Sequence, residues 1–111
     1  MAFQDITGIL IAQATITTGY VTIYTVVVDQ RLYIKDIDIC NTTSGALTVT
    51  VNLVKNGGSP DLTNTLFSGS SIAANDNLQW TGTQIMDYNG TIQVKASGAG
   101  LSINISGGVA V

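Results

Sequence analysis

Apolar and polar residues alternate one by one along much of this chain, and that period of two constrains its fold more than any other feature. In "GALTVTVNLVKNGG", Leu47, Val49, Val51 and Leu53 fall on one side, with Thr48, Thr50 and Asn52 on the other. Successive side chains of an extended chain point to opposite faces, so this segment reads as a half-buried strand closing at the turn signal Asn56-Gly57. "TIQVKASGAGLSINISGGVAV" repeats the pattern. Ile92, Val94 and Ala96 share a face, and after Ser97-Gly98-Ala99-Gly100 the residues Leu101, Ile103, Ile105, Val109 and Val111 keep one phase. That arrangement predicts a C-terminal hairpin. "YVTIYTVVV" predicts another strand, including Val26–Val28, with Val21, Ile23 and Val27 opposite Tyr20, Thr22 and Tyr24.

Weaker alternation marks Leu10 to Thr17, "NTLFSGSSI" with a bulge at Gly69, and "NLQWTG", where Leu78 and Trp80 share a face and Trp80 is the largest candidate core anchor. Pro60 lies in a predicted loop, as do Ala73 to Asn77. No segment carries a capped helical stripe. The acids are all Asp, with no Glu, and Asp favours turns where Glu favours helices. About eight short strands at spacings of roughly 8–12 residues predict an all-β, single-domain antiparallel β-sandwich, jelly-roll-like, over residues 1–111.

Charge narrows the function. Only 10% of residues are charged while 45% are apolar, against about 25% charged in an ordinary soluble chain. Burying part of such a surface in an assembly is the simplest way to keep it from water, so a homo-oligomer is expected. A net charge of −3 and four scattered cations, Arg31, Lys35, Lys55 and Lys95, supply no basic patch for nucleic acid. No apolar run approaches a membrane span, and "MAFQDITGILIAQ" lacks the basic start of a signal peptide. The sequons at Asn41, Asn89 and Asn104 read as chance matches in a chain rich in Asn and Thr.

"KDIDICNTT", Lys35 to Thr43, concentrates a lysine, two acids and the single cysteine. Chemistry there would need partners the sequence withholds. There is no histidine anywhere, which removes Cys–His and Ser–His pairs and imidazole metal sites. Asp36 and Asp38 lack an apolar setting that would split their pKa values for acid–base work. Ca²⁺ takes six to eight oxygens, usually from a loop, whereas "DID" offers alternate acids on a strand and "NDN" at Asn75 to Asn77 a polar turn, each more often turn or surface chemistry than a metal site. Lys95 and Ser97 share a strand face, a spacing that says little. The apolar residues are more informative. Leu32 and Ile34 have one parity, Ile37 and Ile39 the other. A bulge near Lys35-Asp36 would bury all four, leaving Asp38 and Cys40 pointing outward together. No catalytic residue, cofactor or metal is expected.

"VTIYTVVVDQRLYIKDIDICNTTSGALTVTVNLVKNG" resembles a pattern in small phage virion proteins: a "T-x-Y-T-V-P" strand, a short turn, "x-I-x-x-I-x-V-C-N-T", and an alternating strand ending near "NG". "SIAANDNLQWTG" and "YNGTIQVKASGAGLSINISG" are similar to its continuation, so the resemblance spans about Thr18 to Gly107. Val28 departs from it where proline is frequent, and "MDYNGT" replaces a Gly-Asp turn. The resemblance implies a non-enzymatic β-sandwich subunit of a phage particle, made in the host cytoplasm. Its role would be capsid decoration (cement), with the major capsid protein or other virion proteins as partners and a trimer suiting lattice symmetry. The alternative is a tail, neck or fibre-associated module that binds host-surface glycan, with Tyr20, Tyr24, Tyr33 and Tyr88 as a stacking platform. Residues 1–8 are a candidate docking arm, and Phe3, Ile6, Tyr20, Tyr24 and Asp38 are the candidate interface residues.

Overall fold

The computed structural model describes residues 6–110, and Phe3 with the rest of residues 1–5 lies outside them. Eight strands follow one another: β1 (Ile6–Ile16), β2 (Val21–Thr25), β3 (Arg31–Asn41), β4 (Leu47–Val54), β5 (Thr65–Ile72), β6 (Asn77–Met86), β7 (Thr91–Ala96) and β8 (Leu101–Ala110). They form two four-stranded sheets, ordered β1-β8-β3-β6 and β2-β7-β4-β5, and every pairing is antiparallel. The two halves of the chain run alongside each other, β1 with β8, β2 with β7, β3 with β6 and β4 with β5. That double strand is then folded over, so alternate pairs fall in different sheets, which is the winding of a jelly roll. The expected antiparallel β-sandwich of about eight strands is the observed fold.

The period of two explains the core. Leu32, Ile34, Ile37 and Ile39 of β3, Ile103 and Ile105 of β8, Val49 and Val51 of β4, and Ile92 and Val94 of β7 are all fully buried in one cluster. These four strands occupy inner positions in their sheets, where both edges are paired. Each large side chain withdrawn from water contributes about 1.5–3 kcal/mol.

The phase break in β3 is a bulge at the expected place. Register slips between Ile34 and Asp36 against both neighbours: against β8 Lys35 is the extra residue, whereas against β6 the surplus residue is on β6. The irregularity crosses the sheet: Ile11 is the extra residue of β1, and Gly82 and Thr83 oppose Lys35 on β6. The Lys35 Nζ donates to Thr83 Oγ1 at 2.7 Å across this line. Between the two bulged neighbours β8 keeps one phase, from Leu101 to Val109, as its sequence predicts. Bulges bend a strand and sharpen its twist, and here they bring the Tyr33 carbonyl against Gly107, where a Cβ would overlap it. Gly69 is also at an irregular step of β5, with φ of 59° and its N–H donating to Thr50 Oγ1 at 3.0 Å.

Four expectations fail. The C-terminal hairpin does not form, because β7 and β8 lie in different sheets; the Ser97–Gly100 turn carries the chain from one sheet to the other. Val26–Val28 is not a strand. Val26 is buried and bonded to the turn before β7, its N–H donating to Gly90 O at 2.9 Å and its carbonyl accepting from Asn89 N at 2.8 Å. Val27 and Val28 are exposed. Tyr24 does not share an outer face with Tyr20: β2 slips register between Thr22 and Tyr24, which turns Tyr24 toward the core opposite Ile92. Trp80 is only partly buried, because β6 is an edge strand.

Candidate functional site

The outer face of the β1-β8-β3-β6 sheet holds the residues that first suggest chemistry. Beyond the bulge, cross-strand rows read Leu10–Ser106–Asp36–Thr81, then Gln13–Asn104–Asp38–Gln79, then Thr15–Ser102–Cys40–Asn77. Asp38 Oδ1 accepts from Asn77 Nδ2 at 3.0 Å, and Gln13 Nε2 donates to Asn104 Oδ1 at 2.8 Å. These rows form an amide and hydroxyl ladder with two carboxylates in it. Among the described residues no group of three or more His, Cys, Asp or Glu is placed to hold a metal. Cys40 is exposed, with Ser102 and Asn77 beside it in its row. Lys95 and Ser97 are engaged apart: the Lys95 Nζ lies 4.7 Å from the Tyr20 ring centroid, and Ser97 Oγ accepts from Thr48 N at 2.9 Å.

A different surface stands out at one end of the sandwich. The registers place the start of β1, the end of β8, the start of β3 and the end of β6 together, through Ile6 opposite Ala110, Ala110 opposite Arg31 and Leu32 opposite Met86. The loops β2–β3, β4–β5 and β6–β7 therefore gather there. So do most of the exposed large apolar side chains: Ile6, Val27, Val28, Leu62, Ile85 and Tyr88, with Leu62 at 93% of its full exposure. A groove of about 650 Å³ opens between the β4–β5 loop and the end of β6, with Lys55, Asp61, Thr63, Leu66, Ile85 and Tyr88 among its lining.

Local hydrogen bonding holds these loops. Asn52, on the outer side of β4, is 1% exposed. Its Nδ2 donates to Asp61 O at 3.1 Å, Asn64 Oδ1 at 2.7 Å and Thr65 Oγ1 at 3.0 Å. Its Oδ1 accepts from the Tyr20 hydroxyl at 2.9 Å. Asp61 Oδ1 accepts from Thr63 Oγ1 at 2.6 Å and from Thr63 N at 2.8 Å. The Thr63 hydroxyl, then its N–H, holds the Asp61 carboxyl below its ordinary pKa. Arg31 Nε pairs with Asp87 Oδ1 at 2.8 Å, and the hydrogen bond to that carboxylate raises the guanidinium pKa. Asn89 Nδ2 donates to Asn56 Oδ1 at 2.8 Å, joining the β6–β7 turn to the β4–β5 loop.

The structure does not bring the sequence-derived interface residues together. Ile6 is exposed at the loop end, and Ile6–Gly8, part of the candidate arm, pair with β8 as the start of β1. Tyr20 is on the other sheet's outer side, bonded to Asn52. Tyr24 packs on the core, and Asp38 is half-buried in the polar ladder. The four tyrosines do not form one platform. The sequence placed Val27 and Val28 in a strand and Tyr88 in a stacking platform, and gave no role to Leu62 or Ile85, because alternation carries no signal in or beside a turn. Leu62, a lone large apolar residue inside "NGGSPDLTN", was the one hint available.

The eight strands, wound β1-β8-β3-β6 over β2-β7-β4-β5, define a small jelly-roll β-sandwich. Among solved structures it is similar to chains of viral particles. The VP2 subviral particle of infectious bursal disease virus superposes with a TM-score of 0.50 over 96% of this chain, at 13% identity. The structure of the Gx strain of that virus gives a TM-score of 0.42 over 92% at 12% identity, and the T13 particle gives 0.37 over 96% at 16% identity. The chain spans about a third of those proteins, 32%, 32% and 30% respectively. No protein-family model and no curated protein matches the sequence.

Proposed function

We propose that this chain is a non-enzymatic virion structural protein that works through protein–protein contacts. The observation that carries this reading is the jelly-roll winding shared over 96% of the chain with the VP2 subviral-particle protein. Jelly rolls recur in capsid and lectin domains. The loop end supports it: six large apolar side chains are exposed there on a chain that is only 10% charged. A surface of that kind is covered in an assembly. The finer reading is capsid decoration in a phage, as a homo-oligomer seated on the major capsid protein. The phage and the head rest on the sequence resemblance. Binding to the assembled lattice alone would stabilise the lattice by linkage.

Placement in a tail, neck or fibre is the second reading. Its glycan-binding form gains nothing from the tyrosines, since Tyr20 and Tyr24 lie on opposite sides of one sheet and Tyr88 stands at the loop end. A density map of the intact particle tests the proposal. Copies repeated over the shell are the expected result. Confinement to the portal axis would move the chain to the tail or neck, and absence from the particle would overturn the virion role.

A further inference from the structure

The sequence contains two Asn-Gly pairs, Asn56-Gly57 and Asn89-Gly90, and the fold places their asparagines in contact. A glycine after asparagine leaves the following backbone nitrogen unshielded, so the pair is the commonest setting for loss of the side-chain amide. The two pairs here are held very differently. Gly90 is buried, and its N–H donates to Asp87 O at 3.0 Å. Its carbonyl accepts from Val26 N at 2.9 Å, and Asn89 N donates to Val26 O at 2.8 Å, with Asn89 at φ 62°. That peptide is locked on both sides. Asn56 and Gly57 are exposed in the turn closed by Gly58 N to Lys55 O at 2.9 Å, and among the described residues the Gly57 N–H has no hydrogen-bond acceptor. Asn56 Oδ1 accepts from Asn89 Nδ2 at 2.8 Å.

We propose that Asn56 is a self-modification site, at which the Gly57 nitrogen displaces the side-chain amide with the Asn89 side chain as electrophilic donor. The Gly57 nitrogen attacks Asn56 Cγ and gives up its proton. The Cγ–Nδ2 bond breaks, and ammonia leaves with that proton, closing a succinimide ring. Water then opens either C–N bond of the ring, leaving aspartate or isoaspartate at position 56. As Cγ becomes tetrahedral, negative charge grows on Oδ1, where the Asn89 N–H already points, and a donor aimed at developing charge lowers the barrier. The aspartate form keeps its acceptor for Asn89. The isoaspartate form adds a methylene to the backbone inside the Lys55–Gly58 turn and breaks its closing hydrogen bond. Both make the formal net charge of −3 one unit more negative. They do so in a groove lining that already holds Asp61 and Asp87. Aged copies would therefore carry a more acidic groove rim. The chemistry is independent of any virion role.

The test uses the full chain, kept in warm, mildly alkaline buffer and sampled by peptide mass spectrometry with backbone fragmentation. Isoaspartyl methyltransferase labelling reports the isoaspartate fraction. Position 56 should convert at least about tenfold faster than position 89, and in urea the two rates should converge. Asn89→Gly keeps the positive φ without the donor, and should slow position 56 about fivefold, the value of one neutral hydrogen bond. Circular dichroism confirms that the variant is folded. Conversion at position 89 matching or exceeding that at 56 in the folded chain would overturn the proposal. So would an Asn56 rate that Asn89→Gly leaves unchanged.

Discussion

The Tyr20 hydroxyl donates to Asn52 Oδ1 at 2.9 Å, so a residue entering β2 in one half of the winding is tied to the side chain that organises the β4–β5 loop. Asn52 is at a position where alternation predicts an outward polar side chain, and it is outward. It is nevertheless 1% exposed, because the β4–β5 loop folds back over it.

Removing that hub should cost more than removing its neighbour. Asn52→Ala leaves the Asp61 carbonyl, the Tyr20 hydroxyl and the Asn64 and Thr65 side chains without their shared partner, and is expected to lower stability by about 2–3 kcal/mol. Tyr20→Phe should cost about 0.5–1 kcal/mol, since that hydroxyl is part-exposed and loses one bond. Urea unfolding of both variants decides it; equal losses would deny Asn52 its organising role.

Gly107 and Gly45 make opposite predictions for one added methyl. At Gly107 the Cβ would overlap the Tyr33 carbonyl oxygen, whereas at Gly45 it meets nothing within 4 Å. Gly107→Ala should destabilise by more than about 3 kcal/mol or prevent folding. Gly45→Ala should shift stability by less than about 1 kcal/mol, partly by restricting the unfolded chain. Thermal melts of the pair measure the contrast.

On β3 the two faces should respond differently. Ile39→Ala opens a cavity in the core and should cost about 2–5 kcal/mol. Asp38→Asn and Cys40→Ser, on the outer face, should each stay within about 0.5 kcal/mol. Any hydrolytic activity lost in Asp38→Asn would contradict the structural reading of this strand.

Asp61 sets an acid dependence. Its folded pKa lies below the ordinary value, so ionised Asp61 stabilises the loop above the carboxylate range. That contribution is lost as pH falls through the folded pKa. An NMR titration of the Asp61 carboxyl should give a midpoint below that of an unperturbed aspartate, and Thr63→Val should raise it. A midpoint unmoved by Thr63→Val would place the cause elsewhere.

The loop end is the surface whose loss should separate assembly from folding. Val28→Asp and Ile85→Asp alter exposed side chains, so melting temperature should hold within a few degrees. Attachment to particles and oligomer size by light scattering should both fall. Unchanged attachment in both variants would move the interface to another face.

Much of the fold was legible because alternation is a local signal. The buried parity of β3, β4, β7 and β8, the bulge at Lys35 and the outward placing of Asp38 and Cys40 all follow from which residues are apolar and how they are spaced. What alternation does not encode is the partner of each strand. The Ser97–Gly100 turn looks like a hairpin in sequence, yet it joins strands of different sheets. Of all the consecutive pairs only β4 and β5 lie side by side.

The sequence by itself determined that this chain folds as an antiparallel β-sandwich whose outer faces are polar and sparsely charged. Those properties depend on residue type and period, and both are present before any folding. The tertiary structure alone decided that Tyr24 turns inward, that Asn52 is buried, that Asn56 meets Asn89, and that Ile6, Val27, Val28, Leu62, Ile85 and Tyr88 share one end. Each depends on register between strands far apart in the chain. Register is set by how the whole core closes, and no short window of residues contains it.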